Sequence, residues 1–225
     1  MSDELDFSTI IASAVHDMKN SLGMLLHSVD EVRESVPESV RQSESFTTLQ
    51  YEAQRVHGDL VQLLGLYRLQ QDKLSATVEE QMVPDFLEEQ VARHQPLLEG
   101  MGIQLTVNAD ALDGYFDSQL VGGVLTNVIN NAIRYTREQL QLSAREEEGY
   151  LVISVEDDGK GFPDQMLNAP LKGVNSLDFK TGGTNLGLYF ADRMARMHRE
   201  ADREGFIHLR NGGEFGGGVF ELWLP

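Results

Sequence analysis

Residues 124–136 have the sequence VLTNVINNAIRYT, in which the apolar residues follow the spacing of a helix. On that helix Asn127 and Asn131 share one face, and Arg134 lies about one turn beyond Asn131. Asn is a middling helix former, so its repeated use here asks for a reason other than helix stability. An amide oxygen suits a hard cation and a guanidinium suits phosphate oxygens, so this face could hold a magnesium-bound polyphosphate. Taken alone, the segment favours the simpler interpretation, asparagines on an ordinary helix surface.

Two further segments are rich in glycine. Residues 155–163, VEDDGKGFP, follow a predicted strand. The carboxylate of Asp157 could therefore accept a hydrogen bond from an exocyclic amine while the glycine backbone lies close to a ring. Residues 182–188, GGTNLGL, precede a predicted helix, whose N-terminus would carry a partial positive charge suited to phosphate. Each segment alone is also compatible with a simple loop or connector.

The N-terminal third predicts two long amphipathic helices. Apolar residues recur in alternating steps of four and three from Ile11 to Val32 and again from Phe46 to Tyr67, with a break near Pro37. Two such helices form a hairpin, but their apolar seam stays exposed to water unless a second hairpin covers it. We therefore expect a hairpin domain at residues 1–75 that pairs with a second copy to form a four-helix bundle.

A polar stretch, residues 70–81, leads to Pro84, where a second and mixed domain is predicted to begin and to extend over residues 84–225. Helices are predicted at 86–98, 116–136 and 186–197, and strands at 103–107, 139–144, 151–155, 205–209 and 219–224. Because helices and strands do not alternate strictly, the predicted fold class is α+β, a helical hairpin followed by an α/β sandwich.

The composition excludes several classes of function. The chain has 36 acidic and 18 basic residues, a net charge of −18 and no cysteine. This charge disfavours nucleic acid and membrane surfaces as partners, and the lack of cysteine excludes disulfides, thiolate zinc sites and cysteine nucleophiles. The acidic start of the chain does not have the form of a secretory signal, and no later window has the apolar length of a membrane span. The sequence thus predicts a cytoplasmic chain.

Taken together and in this order, the three segments resemble the N, G1 and G2 boxes of the GHKL ATPase superfamily, in particular of histidine kinases. The likeness spans residues 86–225, and its end, GGGVFELWLP, looks like the last strand of that family. The resemblance implies a Bergerat-type sandwich, ATP and Mg²⁺ as cofactors, and a mobile lid over residues 163–182. It implies nucleotide-binding roles for Asn127, Asn131, Arg134, Tyr135, Asp157, Gly159, Gly161, Gly183, Gly187 and Leu188.

Within that pattern, Asn131 would be the magnesium ligand and Asp157 would bind the adenine amine. Four positions depart from the family pattern. Proline is frequent where this chain has Ser21, and an acid or amide is frequent where it has Gly123. Asn185 replaces the middle glycine of the G2 box, and Val219 lies where a hydroxyl residue is frequent near the adenine. The last three departures would permit weak ATP affinity.

Residues 15–22, VHDMKNSL, lie on the first predicted helix, where His16 and Asn20 point outward together. The segment resembles the H box of histidine kinases: His, an acid, two variable residues, then Asn or Thr. The resemblance implies that His16 accepts a phosphoryl group, that Asp17 orients the ring or takes its proton, and that Asn20 orients a water. Three apolar residues of this segment are predicted to lie on the buried seam: Val15, Met18 and Leu22. The other histidines are interpreted as structural: His27, His57, His94, His198 and His208.

The resemblance further implies a homodimer and a response-regulator receiver domain as partner. The aspartate of that domain would receive the phosphoryl group, and the chain could also dephosphorylate it. Two other functions remain open at the level of sequence. A histidine phosphotransferase with a degenerate nucleotide domain would relay phosphate without using ATP. An anti-sigma-type serine kinase of the same superfamily would phosphorylate a protein partner, but it has no need of a hairpin that carries His16. A purely structural dimerisation module would leave the glycine-rich boxes unexplained.

Overall fold

A computed structural model describes residues 7–71, 74–168 and 186–225 of the chain. It divides into two compact units, Met1–Ser75 and Ala76–Pro225, and each is described by itself. In the described part of the chain, no helix combines the length and the apolar character needed to cross a bilayer.

The first unit is a helical hairpin. Helix α1 (Phe7–Ser35) packs against helix α3 (Glu44–Gln70), and the break between them contains a single-turn helix α2 (Glu38–Arg41). Pro37 is the N-cap residue of α2, and the Ser43 side chain accepts a hydrogen bond from the Phe46 backbone N–H at 3.4 Å, which caps α3. The two predicted long helices are confirmed, and the predicted break is partly helical.

The apolar seam of the hairpin is only partly covered within one chain. Val15 is buried and Leu22 is half-buried, but Met18 is 55% exposed, which corrects its predicted burial on the seam. The reason is geometric, because one facing helix covers only part of the apolar stripe of another. The further apolar side chains left 39–74% exposed on α1 and α3 are Met24, Leu25, Val32, Leu49, Val56 and Leu63.

The second unit is a two-layer α/β sandwich, as predicted. Its sheet has five strands in the order β2-β4-β5-β9-β8, with β2 parallel to β4 and the other neighbours antiparallel. The strands are β2 (Gln104–Ala109), β4 (Gln139–Glu147), β5 (Tyr150–Asp157), β8 (Phe206–Gly212) and β9 (Gly217–Leu224). Helices α4 (Val83–Gly100), α5 (Ser118–Ala132) and α7 (Leu186–Ala195) pack against the sheet. A shorter helix, α6 (Asp164–Asn168), packs against β8.

Alternation along the strands builds the core. Leu142 on β4 pairs with Val155 on β5, which in turn pairs with Phe220 on β9, and all three side chains are buried. Since successive residues of a strand face opposite sides, this row fixes Asp157 on the helix-covered side and Glu156 and Glu221 on the other side.

The start of the second unit differs from the prediction. Residues predicted as linker form strand β1 (Glu79–Met82), which pairs with β3 (Asp113–Phe116) upstream of α5. Helix α5 therefore begins at Ser118, since the Asp117 side chain accepts hydrogen bonds from the Gln119 and Leu120 backbones at 3.0 and 2.9 Å.

One further boundary and one further element differ from the prediction. Helix α5 ends at Ala132 rather than at residue 136, because the Tyr135 and Thr136 backbone N–H groups both bond to the Ala132 carbonyl and tighten the chain into a turn. A small hairpin that the sequence did not predict follows α7. It consists of β6 (Arg199–Glu200) and β7 (Arg203–Glu204).

Glu221 is the centre of a charged network on the sheet face away from the helices. Its side chain is 3% exposed, Arg145 and Arg210 donate to Oε1 at 3.1 and 3.2 Å, and His208 Nδ1 lies 3.0 Å from Oε2. Burial raises the pKa of this carboxyl, but hydrogen bonds from His208 and Arg210 and the charge of Arg145 outweigh burial and lower the pKa. The network therefore stabilises the fold most when Glu221 is ionised.

Replacing Glu221 by Gln is expected to destabilise the second unit by about 2 kcal/mol at neutral pH, because two partly exposed arginines lose their shared counter-charge. The pKa of Glu221 is lower in the folded state than in the unfolded state. The stabilisation is therefore present at pH values above the unfolded-state pKa of about 4.3 and is lost as the pH falls through the folded-state pKa. Urea unfolding at pH 7 and near pH 3 tests this, with Glu147→Gln at a half-exposed partner of Arg145 as control. If the free energies of unfolding of the parent and of Glu221→Gln differed equally at both pH values, the proposed role of the charge would be contradicted.

Candidate functional site

The asparagine face of α5 forms one wall of the candidate site. Asn131 Nδ2 donates a hydrogen bond to Asn127 Oδ1 at 3.1 Å, and Asn127 is 7% exposed whereas Asn131 is exposed. This bond uses the amide nitrogen of Asn131, which leaves its Oδ1 as the group suited to a hard cation. The described residues contain no cluster of three or more His, Cys, Asp or Glu that could hold a metal. On this face, the Oδ1 of Asn131 is a group that could serve as an amide ligand to Mg²⁺.

Asp157 lies at the end of β5 in a cradle of glycines. Its side chain is buried, and its Oδ1 accepts hydrogen bonds from the Gly159 and Gly218 backbone N–H groups at 2.7 and 3.2 Å. A Cβ placed on Gly217 or on Gly218 would lie 2.5 or 2.9 Å from a carboxylate oxygen of Asp157. A side chain at either position would crowd Asp157, so the bare glycine backbone of β9 lies against the carboxylate. Such an arrangement can bind an exocyclic amine while a planar ring lies against the glycines.

The turn after α5 is held against the loop after β5. A Cβ on Gly159 would lie 2.3 Å from the Tyr135 carbonyl oxygen, and the Asp158 carboxylate accepts hydrogen bonds from the Arg137 and Glu138 backbones at 2.7 and 3.1 Å. Burial raises the pKa of Asp158, but these backbone hydrogen bonds outweigh it and lower the pKa. Asp158 was not predicted as a site residue, although it links the first two predicted segments.

The third predicted segment reaches the same place through Gly187. A Cβ on Gly187 would lie 2.4 Å from Asn127 Nδ2, so the first turn of α7 packs directly on the asparagine face of α5. The structure thus brings Asn127, Gly187 and Asn131 together. Leu188 is half-buried on α7. Gly183, Asn185 and residues 169–182 of the predicted lid lie outside the described residues.

Arg134 and Tyr135 lie at the rim of the site. Tyr135 is 57% exposed, and the Arg134 guanidinium carbon lies 5.9 Å from the centroid of its ring. Both residues belong to the turn after α5 rather than to the helix, so they are placed by the hydrogen bonds of that turn. The Tyr135 ring is thus exposed at this rim, with the exposed residue Arg134 beside it.

The structure corrects one predicted departure. Val219 pairs with Glu156 on the sheet face away from the helices, so it does not lie beside Asp157. The neighbour of Asp157 on β9 is Gly218, one residue earlier, and the error arose because adjacent strand residues face opposite sides. Gly217 and Gly218 were therefore missed as site residues, although the run of three glycines was a visible signal. Gly123 lies near the Phe190 ring, which a Cβ would meet at 4.0 Å.

His16 lies on α1 of the first unit with a half-exposed side chain. Its Nδ1 lies 3.6 Å from Asp17 Oδ1 and 3.4 Å from Asn20 Nδ2. Both neighbours reach the same ring nitrogen, so Nε2 is turned away from them. The Asn20 amide N–H can donate to Nδ1 only when Nδ1 is unprotonated. In the other tautomer Nδ1 carries the proton and faces Asp17, and the lone pair is on Nε2, the nitrogen a phosphorus atom could approach.

Two of the other histidines, His94 and His198, are buried in structural surroundings. His94 and His198 are buried with Nδ1 at 2.7 and 3.0 Å from backbone carbonyls, and burial lowers the pKa of both. Burial also lowers the pKa of His57, aided by the charge of Lys19. The chemical role of His16 stays a prediction.

Comparison with known proteins finds a matching family model and similar sensor kinases. Residues 116–225 match the family model described as histidine kinase-, DNA gyrase B-, and HSP90-like ATPase. The chain is 27% identical to the sensor protein kinase PilS of Pseudomonas aeruginosa over 95% of its length. It is also 27% identical to the sensor histidine kinase CpxA of Escherichia coli over 82% of its length. The chain spans only 39% of PilS and 40% of CpxA.

Solved structures show the same fold. The histidine kinase AdeS of Acinetobacter baumannii superposes with a TM-score of 0.58 at 19% identity, over 93% of this chain and 96% of that one. Full-length ShkA, solved in complex with AMPPNP, superposes with a TM-score of 0.59 at 19% identity over 96% of this chain and 44% of that one.

Proposed function

We propose that this chain, which carries a histidine kinase catalytic core, is an ATP-dependent protein-histidine kinase that phosphorylates His16 and passes the phosphoryl group to a response regulator. The observation that carries the proposal is the glycine cradle around Asp157. It lies next to the α5 asparagine face and the first turn of α7, which supports a site where a carboxylate suited to an exocyclic amine lies near groups suited to phosphate.

The nucleotide would lie across these groups. Asp157 would accept a hydrogen bond from the adenine amine, and Tyr135 would cover the base or ribose at the rim. Arg134 and the first turn of α7 would face the phosphates, and Asn131 would supply an amide ligand to Mg²⁺. Mg²⁺, when bound, would neutralise the negative charge on the phosphate oxygens during transfer of the phosphoryl group.

His16 would act as the nucleophile. Its Nε2 lone pair would attack the γ-phosphorus of ATP in line, the bond from that phosphorus to the β–γ bridging oxygen would break, and ADP would leave. The imidazole gains positive charge as the N–P bond forms. Asp17, 3.6 Å from Nδ1, would stabilise that charge or take the Nδ1 proton. Positioning and charge neutralisation would supply most of the catalysis.

The hairpin would serve two partners. A second copy would cover the apolar side chains that one chain leaves exposed, which supports a homodimeric four-helix bundle. A receiver domain would dock beside His16 and take the phosphoryl group onto an aspartate. PilS and CpxA are both named as sensor proteins, which is consistent with a receiver-domain partner.

The direct test is incubation of the chain with γ-labelled ATP, with and without Mg²⁺, followed by acid and alkali treatment of the labelled product. Phosphohistidine survives alkali and is lost in acid, so a product with this stability supports the proposal. An acid-stable product would favour a serine kinase. Absence of ATP binding would favour a phosphotransferase with a degenerate nucleotide domain.

Replacing Asn20 by Ala is expected to leave autophosphorylation within about twofold of the parent and to reduce dephosphorylation of the phosphorylated receiver at least about tenfold. The physical reason is that the Asn20 amide, 3.4 Å from the His16 ring, can orient a water toward a phosphoryl group docked at that ring. The measurement is release of labelled phosphate from purified phospho-receiver. Ser28→Ala, at an exposed position of the same helix, is the matched control. An unchanged phosphatase rate would remove this role from Asn20.

A further inference from the structure

We infer that Asn211 is a positioning residue that clamps the glycine turn after β5 and so fixes the nucleotide-binding cradle around Asp157. The inference rests on the proposed nucleotide-binding function and extends it to a residue outside the three predicted segments. Asn211 lies near the end of β8, at the edge of the sheet, with an exposed side chain.

The clamp consists of two reciprocal hydrogen bonds. The Asn211 Oδ1 accepts from the Phe162 backbone N–H at 2.6 Å, and Asn211 Nδ2 donates to the Phe162 carbonyl oxygen at 2.8 Å. Two bonds from one planar carboxamide to the N–H and C=O of one residue fix both the position and the rotation of the chain there. A single bond would fix only its distance.

The backbone beside the clamp accepts only glycine. Gly161 has a φ of +75°, and a Cβ there would lie 2.6 Å from Asn211 Oδ1. The left-handed conformation and the close approach of the carboxamide both depend on the missing side chain. The second glycine of the G1 segment therefore has a specific partner, and that partner is Asn211.

A short chain of contacts leads from the clamp to the carboxylate. Asn211 pairs across the sheet with Gly218, whose N–H donates to Asp157 at 3.2 Å. The Phe162 ring lies against Gly218, where a Cβ would approach it to 3.1 Å. Movement of the turn away from Asn211 would thus withdraw Phe162 from the cradle. Asn211 itself touches no oxygen of Asp157 in these contacts, so its effect on a nucleotide is indirect.

Replacing Asn211 by Ala tests the clamp, because an exposed edge position can lose its side chain without opening the core. The KM for ATP is expected to rise about tenfold, and kcat at saturating ATP to stay within about twofold. The reason is that the two hydrogen bonds that hold the turn beside the binding site are lost, whereas the reacting groups lose none. Hydrogen exchange of the peptide that contains Phe162 is expected to become faster, while exchange in β9 stays unchanged.

Two further variants keep the outcome decisive. Asn108→Ala removes the same side chain from an exposed position on the opposite edge strand, β2, and is expected to leave KM and exchange unchanged. Asn211→Gln retains both hydrogen-bonding groups and is expected to recover part of the ATP affinity. An Asn211→Ala protein that binds ATP as the parent does would overturn the clamp inference alone. A parent protein that binds no ATP would overturn the proposed function, and with it any nucleotide role for Asn211.

Discussion

Replacing His16 by Gln is expected to abolish incorporation of label from γ-labelled ATP, a loss of at least about a thousandfold. Glutamine retains the length and polarity of the side chain on an exposed helix face, but its amide nitrogen has no lone pair available to attack phosphorus. The acid-labile, alkali-stable product should therefore disappear, while the second unit, which contains none of the altered atoms, is expected to bind nucleotide as the parent does. The measurements are autophosphorylation and nucleotide binding on the same preparation.

His27→Gln is the matched control for this variant. His27 lies on the same helix, its side chain is 77% exposed, and its Nε2 lies 3.6 Å from Glu31, so it resembles His16 in exposure and in having an acidic neighbour. Label is expected to be retained in His27→Gln at the parental level. If His16→Gln kept the label and His27→Gln lost it, the phosphate acceptor would be His27 and not His16.

The sequence predicted those parts of the fold whose signal is periodic. Two long helices and the main strands repeat apolar residues with the periods of helix and strand, and these elements were found close to their predicted places. Strand β1, with the sequence EEQM, could not be predicted, because short polar strands have no periodic signal and β1 exists only through its pairing with β3. The start of α5 was misplaced for the same reason, since Phe116 is an apolar residue whether it ends a strand or begins a helix.

The candidate site was predictable as far as it lies within local motifs. Asn127, Asp157 and Gly187 belong to three segments whose order carries the family resemblance, and the structure brings these segments together. Gly218, Asp158 and Asn211 were missed because their roles depend on which strands are neighbours, and sheet order is not a local property of the sequence. The mistaken assignment of Val219 shows how sensitive such placement is, since an offset of one residue on a strand changes the face.

Replacing Asp157 by Asn is expected to lower the affinity for ATP about a hundredfold, close to 2.7 kcal/mol, without unfolding the second unit. The Oδ1 of Asp157 already accepts hydrogen bonds from Gly159 and Gly218, so an asparagine would place its oxygen there and keep those two bonds. Its NH₂ group would then occupy the position of Oδ2 and meet the adenine amine donor to donor. The same substitution is expected to raise the affinity for inosine triphosphate, which has a carbonyl in place of the adenine amine and so accepts a hydrogen bond from the asparagine NH₂.

The ratio of ATP to inosine triphosphate affinity is therefore the sharpest readout for Asp157→Asn, because a general disturbance of the site would weaken both nucleotides alike. Binding can be followed by calorimetry in the presence of Mg²⁺, with thermal unfolding as the check on the fold. Asp110→Asn, an exposed position between β2 and β3, makes the same chemical change away from the cradle and should leave the ratio unchanged. An unaltered ratio in Asp157→Asn would mean that the buried carboxylate does not recognise the base. The close approach of the glycines to this carboxylate would then need another explanation.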